Sequence, residues 1–183
     1  MFNVIAACLV PSGGIGKDGQ IPWCVPSDLR RFRYLTSHPG PAAVVMGRAT
    51  FESLPRGLPL PGRTNIVVSN TLDENIPNVI VVRSFEDALA FVRSKDFVTV
   101  HVIGGESLYR QALDHPDCAR VYLTEIEVLS GSCPECDRFF PFSMLCERFS
   151  VLATSKNIDG PYRVTFVDLV KDIPDQRLPL TYG

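Results

Sequence analysis

Asp28 is the residue whose type and setting most suit chemistry. It follows Ser27, a candidate helix N-cap, and so falls in the first turn of a helix. Phe32 and Leu35 stand four and seven residues further on, and the three share one helix face. That face is otherwise apolar, so the carboxylate loses hydration unless something pairs with it. Two readings stand. The ordinary one is an acid that complements the helix dipole. The other is a carboxylate that receives a cationic or amide-like ligand. Just upstream, Pro11 to Trp23 holds Gly13, Gly14, Gly16, Gly19 and the chain's one tryptophan. A loop of that kind can close over a site and exclude water.

Three further places could carry chemistry. Gly104-Gly105 joins an apolar stretch to a helical one. Glycines there admit a close approach, and a helix N-terminus offers free amides to an anion; a tight turn is the alternative. The pair is not the G-x-G-x-x-G fingerprint. Arg48 and Arg63 each stand at the edge of a strand. A guanidinium suits phosphate or carboxylate by two parallel hydrogen bonds, or is a solvated loop arginine.

The elements that must position these groups alternate. Phe2 to Leu9 is an almost continuous apolar run, as in a strand buried on both faces. Strands are expected at 42–46, 64–68, 79–82, 98–103 and 121–128, and two more at 151–154 and 164–170. Helices are expected over 27–37, around 50–54, from Ser84 onward, and from Gly105 to about Leu113. Ser84 opens the third with Ser-x-x-Asp, and Phe85, Ala88, Leu89 and Val92 give its apolar stripe. His38-Pro39-Gly40-Pro41 ends the first. The pattern predicts a single α/β domain with a central, mainly parallel eight-stranded sheet, an antiparallel C-terminal strand and about four flanking helices. The domain is expected over 1–171, with 172–183 as a tail or linker.

Composition excludes several classes. The chain has 183 residues, 45% hydrophobic and 21% charged, with a net charge of −2 and no basic run. Nucleic-acid binding as a main function is excluded on that balance. No apolar segment approaches the roughly 18 residues of a membrane span, and no secretory signal is visible, so the expected location is the cytoplasm. Six cysteines occupy 8, 24, 118, 133, 136 and 146, and most read as reduced thiols. Cys133-Pro134-Glu135-Cys136 is a lone C-x-x-C, read first as surface thiols, with a redox or a metal role as alternatives. No second pair completes a four-ligand zinc set, and the three histidines are scattered, so no metal is expected.

Four motifs carry a family resemblance. Pro22-Trp23-x-x-Pro26-x-Asp28-Leu29-x-x-Phe32, after Gly14-Ile15-Gly16, resembles the substrate-side signature of the dihydrofolate reductases. Val45-Met46-Gly47-Arg48-x-Thr50-Phe51-Glu52-Ser53, then Pro61-Gly62-Arg63-x-Asn65, then Ile103-Gly104-Gly105-x-x-x-Tyr109 follow in family order. The resemblance runs from about Asn3 to about Val170.

It implies reduction of 7,8-dihydrofolate to 5,6,7,8-tetrahydrofolate by NADPH, with hydride transfer to the N5–C6 imine of the pterin. Asp28 becomes the catalytic carboxylate that favours N5 protonation. Thr124 fixes its orientation, and Trp23 holds a water nearby. Ile5, Ala6 and Ala7 line the pterin site, with small residues at 6 and 7 admitting a flat ring. Leu29, Phe32, Leu54 and Leu60 are ring walls, and Ile103 and Tyr109 complete the substrate side. Arg63 grips the α-carboxylate of the glutamate tail.

On the cofactor side, the resemblance places Gly104 and Gly105 beneath the nicotinamide–ribose and pyrophosphate, with Glu106, Ser107, Leu108 and Tyr109 following. The Glu106 side chain is expected to point away. Gly47, Arg48, Ala49 and Thr50 lie near the ribose phosphate. Ser69, Asn70 and Arg83 suit the adenosine 2′-phosphate. From the gate come Ile15, Gly19 and Ile21, and Ala7 serves both ligands. Asp137-x-Phe139-Phe140-Pro141 resembles the loop that packs near this gate, behind a lengthened segment from Leu129 to Cys136 that holds the C-x-x-C. Antifolate inhibitors are implied as ligands, and a monomer is expected unless the chain is fused to or docked on a thymidylate synthase module. Rival readings are a reductase of a different pterin or flavin precursor, and a silent nucleotide-binding module. Arg63 argues against the first, and the retained carboxylate and glycine pair against the second.

Overall fold

In the computed structural model, residues 1–37 and 40–172 are described. The expected helix stop at His38-Pro39 lies outside them, as does the expected tail apart from Asp172. An eight-stranded sheet forms the centre, in the order β5-β4-β3-β6-β1-β7-β10-β9. Its strands are β1 (Phe2–Leu9), β3 (Ala42–Gly47), β4 (Thr64–Val68), β5 (Val79–Val82), β6 (Thr99–Val102), β7 (Cys118–Val128), β9 (Phe149–Asp159) and β10 (Tyr162–Lys171). All adjacent pairs are parallel except those of β10, which runs antiparallel to both β7 and β9. A second, two-stranded sheet pairs β2 (Gly14–Gly16) with β8 (Arg138–Phe139).

Five α-helices lie among the described residues: α1 (Pro26–Ser37), α2 (Arg48–Glu52), α3 (Phe85–Arg93), α4 (Glu106–Asp114) and α5 (Ser143–Arg148). The Ser84 hydroxyl caps α3 by accepting the Asp87 amide at 3.0 Å, and Phe85, Ala88 and Leu89 are buried, as the stripe predicts. The fifth helix and the small sheet are additions to the expected set.

Strand alternation sorts the core. Val4, Ala6, Cys8, Ala43, Val45 and Val102 pack with α3, α4 and α5. Ile5, Val44, Met46, Val67 and Ile103 pack on the opposite face with Phe32 and Leu35 of α1 and Phe51 of α2. Helix α1 carries the chain from β1 to β3 past the intervening β6. The carboxyl ends of β1, β3 and β6 therefore meet where the connections diverge, which is the usual place for a ligand in an open α/β sheet.

Candidate active site

Helix α1 opens with Pro26, whose missing amide and fixed φ suit a first helical position. The Ser27 amide donates to the Asp159 carboxylate of β9 at 2.7 Å. Ser27 thus lies inside the helix and is not its N-cap; the capping group comes from a strand remote in sequence. Asp28 follows, half-buried against the sheet. Burial pushes its pKa up, while a hydrogen bond from the Thr124 hydroxyl and the charge of Arg31 offset part of that rise. Thr124 is buried on β7, opposite Ala7 of β1 and Phe166 of β10.

Arg31, three residues beyond Asp28, was not singled out from the sequence. Its guanidinium pairs with the Asp168 carboxylate and lies 4.9 Å from the Phe166 ring centroid and 5.7 Å from that of Tyr122. Nη1 is 3.5 Å from the Thr124 hydroxyl. The acid–base spacing of Asp28 and Arg31 on one helix was the available signal.

Three of the four expected ring walls come together. Ile5 and Ile103 are buried in one cluster, with Phe32, Leu54 and Leu60 half-buried against it. Leu29 and Ile21 are 56% and 58% exposed. Ala6 packs in the cluster on the other face of the sheet, so it offers the site only its backbone; Ile5 and Ala7 supply the side chains.

Arg63 reaches the same region from the loop before β4. Asn65, 1% exposed, builds that loop. Its side chain accepts the Leu60 amide and donates to the Leu60 and Arg63 carbonyls, each at 2.9 Å. Gly62 takes φ +72 inside the turn, where a side chain would be strained. Arg63 Nη1 then donates to the Thr36 hydroxyl at 2.7 Å. Burial lowers its pKa, and the neighbouring positive charge of Arg33 lowers it further. Two guanidinium groups thus share a neighbourhood that would be relieved by an anion.

The phosphate-side candidates sit at the carboxyl ends of their strands. The Gly47 amide donates to the Gly104 carbonyl at 2.7 Å. A Cβ on Gly105 would stand 3.4 Å from the Thr50 hydroxyl, and one on Gly47 would stand 3.6 Å from the Gly105 nitrogen. Helix α4 starts directly after Gly105, and Ser107 is exposed while Leu108 is buried. The Tyr109 hydroxyl lies 2.8 Å from the Ile5 carbonyl and 2.9 Å from that of Ile103, so it ties β1 to β6 beneath the junction. Arg48 pairs with Glu52 at 3.0 Å, beside an exposed Ala49. Arg83 donates to the Ser69 carbonyl at 2.8 Å and pairs with Glu74, which brings Ser69 and Arg83 together next to the exposed Asn70.

The loop expected to act as a gate is held by the small sheet. Phe140 and Asp137 donate their amides to the carbonyls of Gly13 and Gly16, at 2.8 and 2.9 Å. The Glu106 carboxylate accepts the Phe139 amide at 3.1 Å, which is the main reason its pKa is lowered. Glu106 therefore points at β8. Ile15 packs against the larger core cluster, Gly19 takes φ +76, and Trp23 packs on Leu9, Val25, Ile126 and Val164 with Ala7 and Phe166.

A family model described as dihydrofolate reductase matches residues 1–171. The chain belongs to the dihydrofolate reductase family. It is 45% identical over 141 residues to the dihydrofolate reductase of Haemophilus influenzae and 37% identical over 150 residues to that of Heliothis virescens, covering 76% of this chain and 78% of each relative. It is 41% identical over 152 residues to the bifunctional dihydrofolate reductase-thymidylate synthase of Glycine max, covering 76% of this chain and 28% of that protein. The matched region spans between 24% and 35% of the length of the bifunctional relatives.

As a member of the dihydrofolate reductase family, the chain is related to oxidoreductases, and its sheet order and single antiparallel strand agree with that fold. No helix among the described residues is long and apolar enough to cross a membrane. Beyond the motif residues, the geometry adds Arg31, Asp168 and Arg33 to the surroundings of the site.

Proposed function

We propose that this chain reduces 7,8-dihydrofolate to 5,6,7,8-tetrahydrofolate with NADPH. The observation that carries the reading is Asp28: a carboxylate held by Thr124 at the edge of the apolar cluster of Ile5, Phe32, Leu54, Leu60 and Ile103. A polar anchor inside an apolar cleft is the usual build of a small-molecule site. Family membership supports the reaction class.

Asp28 accepts hydrogen bonds from the pterin amino group and ring nitrogen in a two-point match. Its negative charge favours protonation of N5, which makes the imine a better hydride acceptor. Water near Trp23 relays the proton. The apolar walls hold the ring, and the gate from Pro11 to Trp23 excludes bulk solvent. Arg63, with Arg33 beside it, receives the tail carboxylate.

The residues present fit the cofactor. The glycine junction leaves a Cβ-free space next to Thr50 and the start of α4, and Ser69 with Arg83 offers a hydroxyl and a guanidinium to a 2′-phosphate. NADPH supplies the hydride when bound. The same unit suits both settings named for the relatives, a stand-alone reductase and one joined to a thymidylate synthase.

The test is NADPH oxidation assayed with dihydrofolate, wild type against Asp28→Asn. The expected result is a large loss in the variant at neutral pH. Equal rates would refute the role of Asp28, and no oxidation by the wild type would refute the reaction.

A further inference from the structure

The proposed reaction leaves the Cys133–Cys136 pair unused, yet the pair is built onto the gate. Cys136 seats on Gly14 of β2: a Cβ at Gly14 would stand 2.5 Å from its Sγ and 2.7 Å from its Cβ. The same side chain packs on Leu9, Val25, Ile126 and Val164, the cluster that also receives Trp23. The next residue, Asp137, makes the gate bonds to Gly16 and Asp18. Cys133 is exposed, and its thiol lies 3.9 Å from the neighbouring Pro134 carbonyl. One thiol is therefore a packing element of the gate and the other is open to reagents.

We propose that Cys133 and Cys136 form a dithiol modification site that takes low-molecular-weight disulfides of the glutathione type, and that its oxidation loosens the gate. The inference rests on the gate assigned above. The Cys133 thiolate attacks one sulfur of the small disulfide. That S–S bond breaks, one small thiolate leaves, and Cys133 carries a mixed disulfide. The Cys136 thiolate then attacks the Cys133 sulfur and expels the second small thiolate. The two protein thiol protons end on the two small thiols, so two protein thiols are oxidised and one disulfide is reduced. Burial pushes the Cys136 thiol up, which leaves the exposed Cys133 to make the first attack.

Closing the ring requires the two sulfurs to come within bonding distance. Cys136 must turn from its seat on Gly14 toward the exposed Cys133. That withdraws a packing partner from the Trp23 cluster and moves the backbone that presents Asp137 to the gate.

The experiment uses the chain's single tryptophan. The protein is incubated with glutathione disulfide or with a phosphine reductant, and then peptide mass mapping, Trp23 emission and turnover are read. The expected result is a Cys133–Cys136 disulfide, a shift in Trp23 emission and a several-fold fall in turnover, all reversed by dithiothreitol. Cys133→Ser is expected to keep the reduced wild-type turnover and lose the response, whereas Cys146→Ser keeps the response. A disulfide mapped to another pair, no disulfide at all, or closure with unchanged Trp23 emission overturns the proposal. The peptide map and the emission need no substrate, so a failure of the proposed reaction leaves them readable.

Discussion

The carboxylate of Asp137 accepts the backbone amide of Asp18 at 3.1 Å, between residues 119 positions apart in the chain. The Asp137 amide donates to the Gly16 carbonyl at 2.9 Å. One residue thus holds the proposed gate by both side chain and main chain. The bond to Asp18 is exposed, so it contributes near the low end of the ~1.5–3 kcal/mol of bonds to charged groups.

Asp137→Ala removes the side-chain bond and keeps the amide. At ~1.4 kcal/mol for each factor of ten, turnover is expected to fall about tenfold. Steady-state assays with NADPH and dihydrofolate check it, and a turnover equal to wild type would remove Asp137 from the gate. In the wild type, gate motion is expected to limit turnover. A full primary deuterium isotope effect on steady-state turnover with deuterated NADPH would show that hydride transfer limits it instead.

Asp28 trades stability for chemistry. Its folded-state pKa lies above the ordinary aspartate value of 3.8, chiefly because burial disfavours the charge. Between those two values the folded chain binds a proton that the unfolded chain has released, so stability falls as pH rises through that window. Above the window the whole penalty is present. Asp28→Asn is therefore expected to lose most activity yet raise Tm at pH 7, by about 2–4 °C for each kcal/mol relieved in a chain of this size. The gain should shrink toward zero as pH approaches the ordinary aspartate value. Thermal melts of both proteins across that range check it; a variant less stable at neutral pH would mean that the charge is fully compensated.

How far the sequence was legible follows from burial. Strands β1, β4 and β5 occupy the residues expected of them; β1 and β4 lie inside the sheet and are mostly buried, and strands covered on both faces read as continuous apolar runs. Strand β9 extends well beyond the expected 151–154, and most of it is exposed; its partner β10, not its own side chains, sets its length. Helix α5 and the β2–β8 pair are too short to show a period. At the site, Asp28, Arg63 and the glycine pair carried motif signals. The pairing of Arg31 with Asp168 and of Ser27 with Asp159 links residues more than a hundred positions apart, and no local pattern encodes that.

Arg63 offers a test that separates binding from chemistry. It is aimed by Thr36 and by the turn that Asn65 closes. Arg63→Gln keeps a donor toward Thr36 but removes the charge. KM for dihydrofolate is expected to rise by one to two orders of magnitude, from the ~1.5–3 kcal/mol of a charge-assisted pair. A dihydropterin without the glutamate tail should be reduced equally by both proteins. Asn65→Ala should reproduce the KM effect in part, because it frees the Leu60 and Arg63 backbone groups. A loss of the same size with the tail-less substrate would place Arg63 at the ring and not at the tail.

His101 gives the domain an acid-sensitive point beneath α1. It is 2% exposed on β6, between Asn3 of β1 and Val44 of β3, with the Tyr122 ring 6.3 Å away. Neither ring nitrogen has a well-aligned hydrogen-bond partner. Burial lowers its pKa from 6.5 to about 4, and the nearby Leu35 backbone offsets only part of that. Between these values the unfolded chain binds a proton that the folded chain excludes, so stability is complete above pH 6.5 and falls as pH drops toward 4. At ~1.4 kcal/mol for each pH unit, the loss approaches about 3 kcal/mol. His101→Leu removes the group at similar volume and leaves no polar nitrogen unpaired. It is expected to be more stable than wild type at pH 7, with the difference growing as pH falls from 6.5 to 4. Urea unfolding at several pH values checks it, because carboxylates titrate alike in both proteins and cancel in the difference. Parallel curves would mean that His101 gains a partner when protonated.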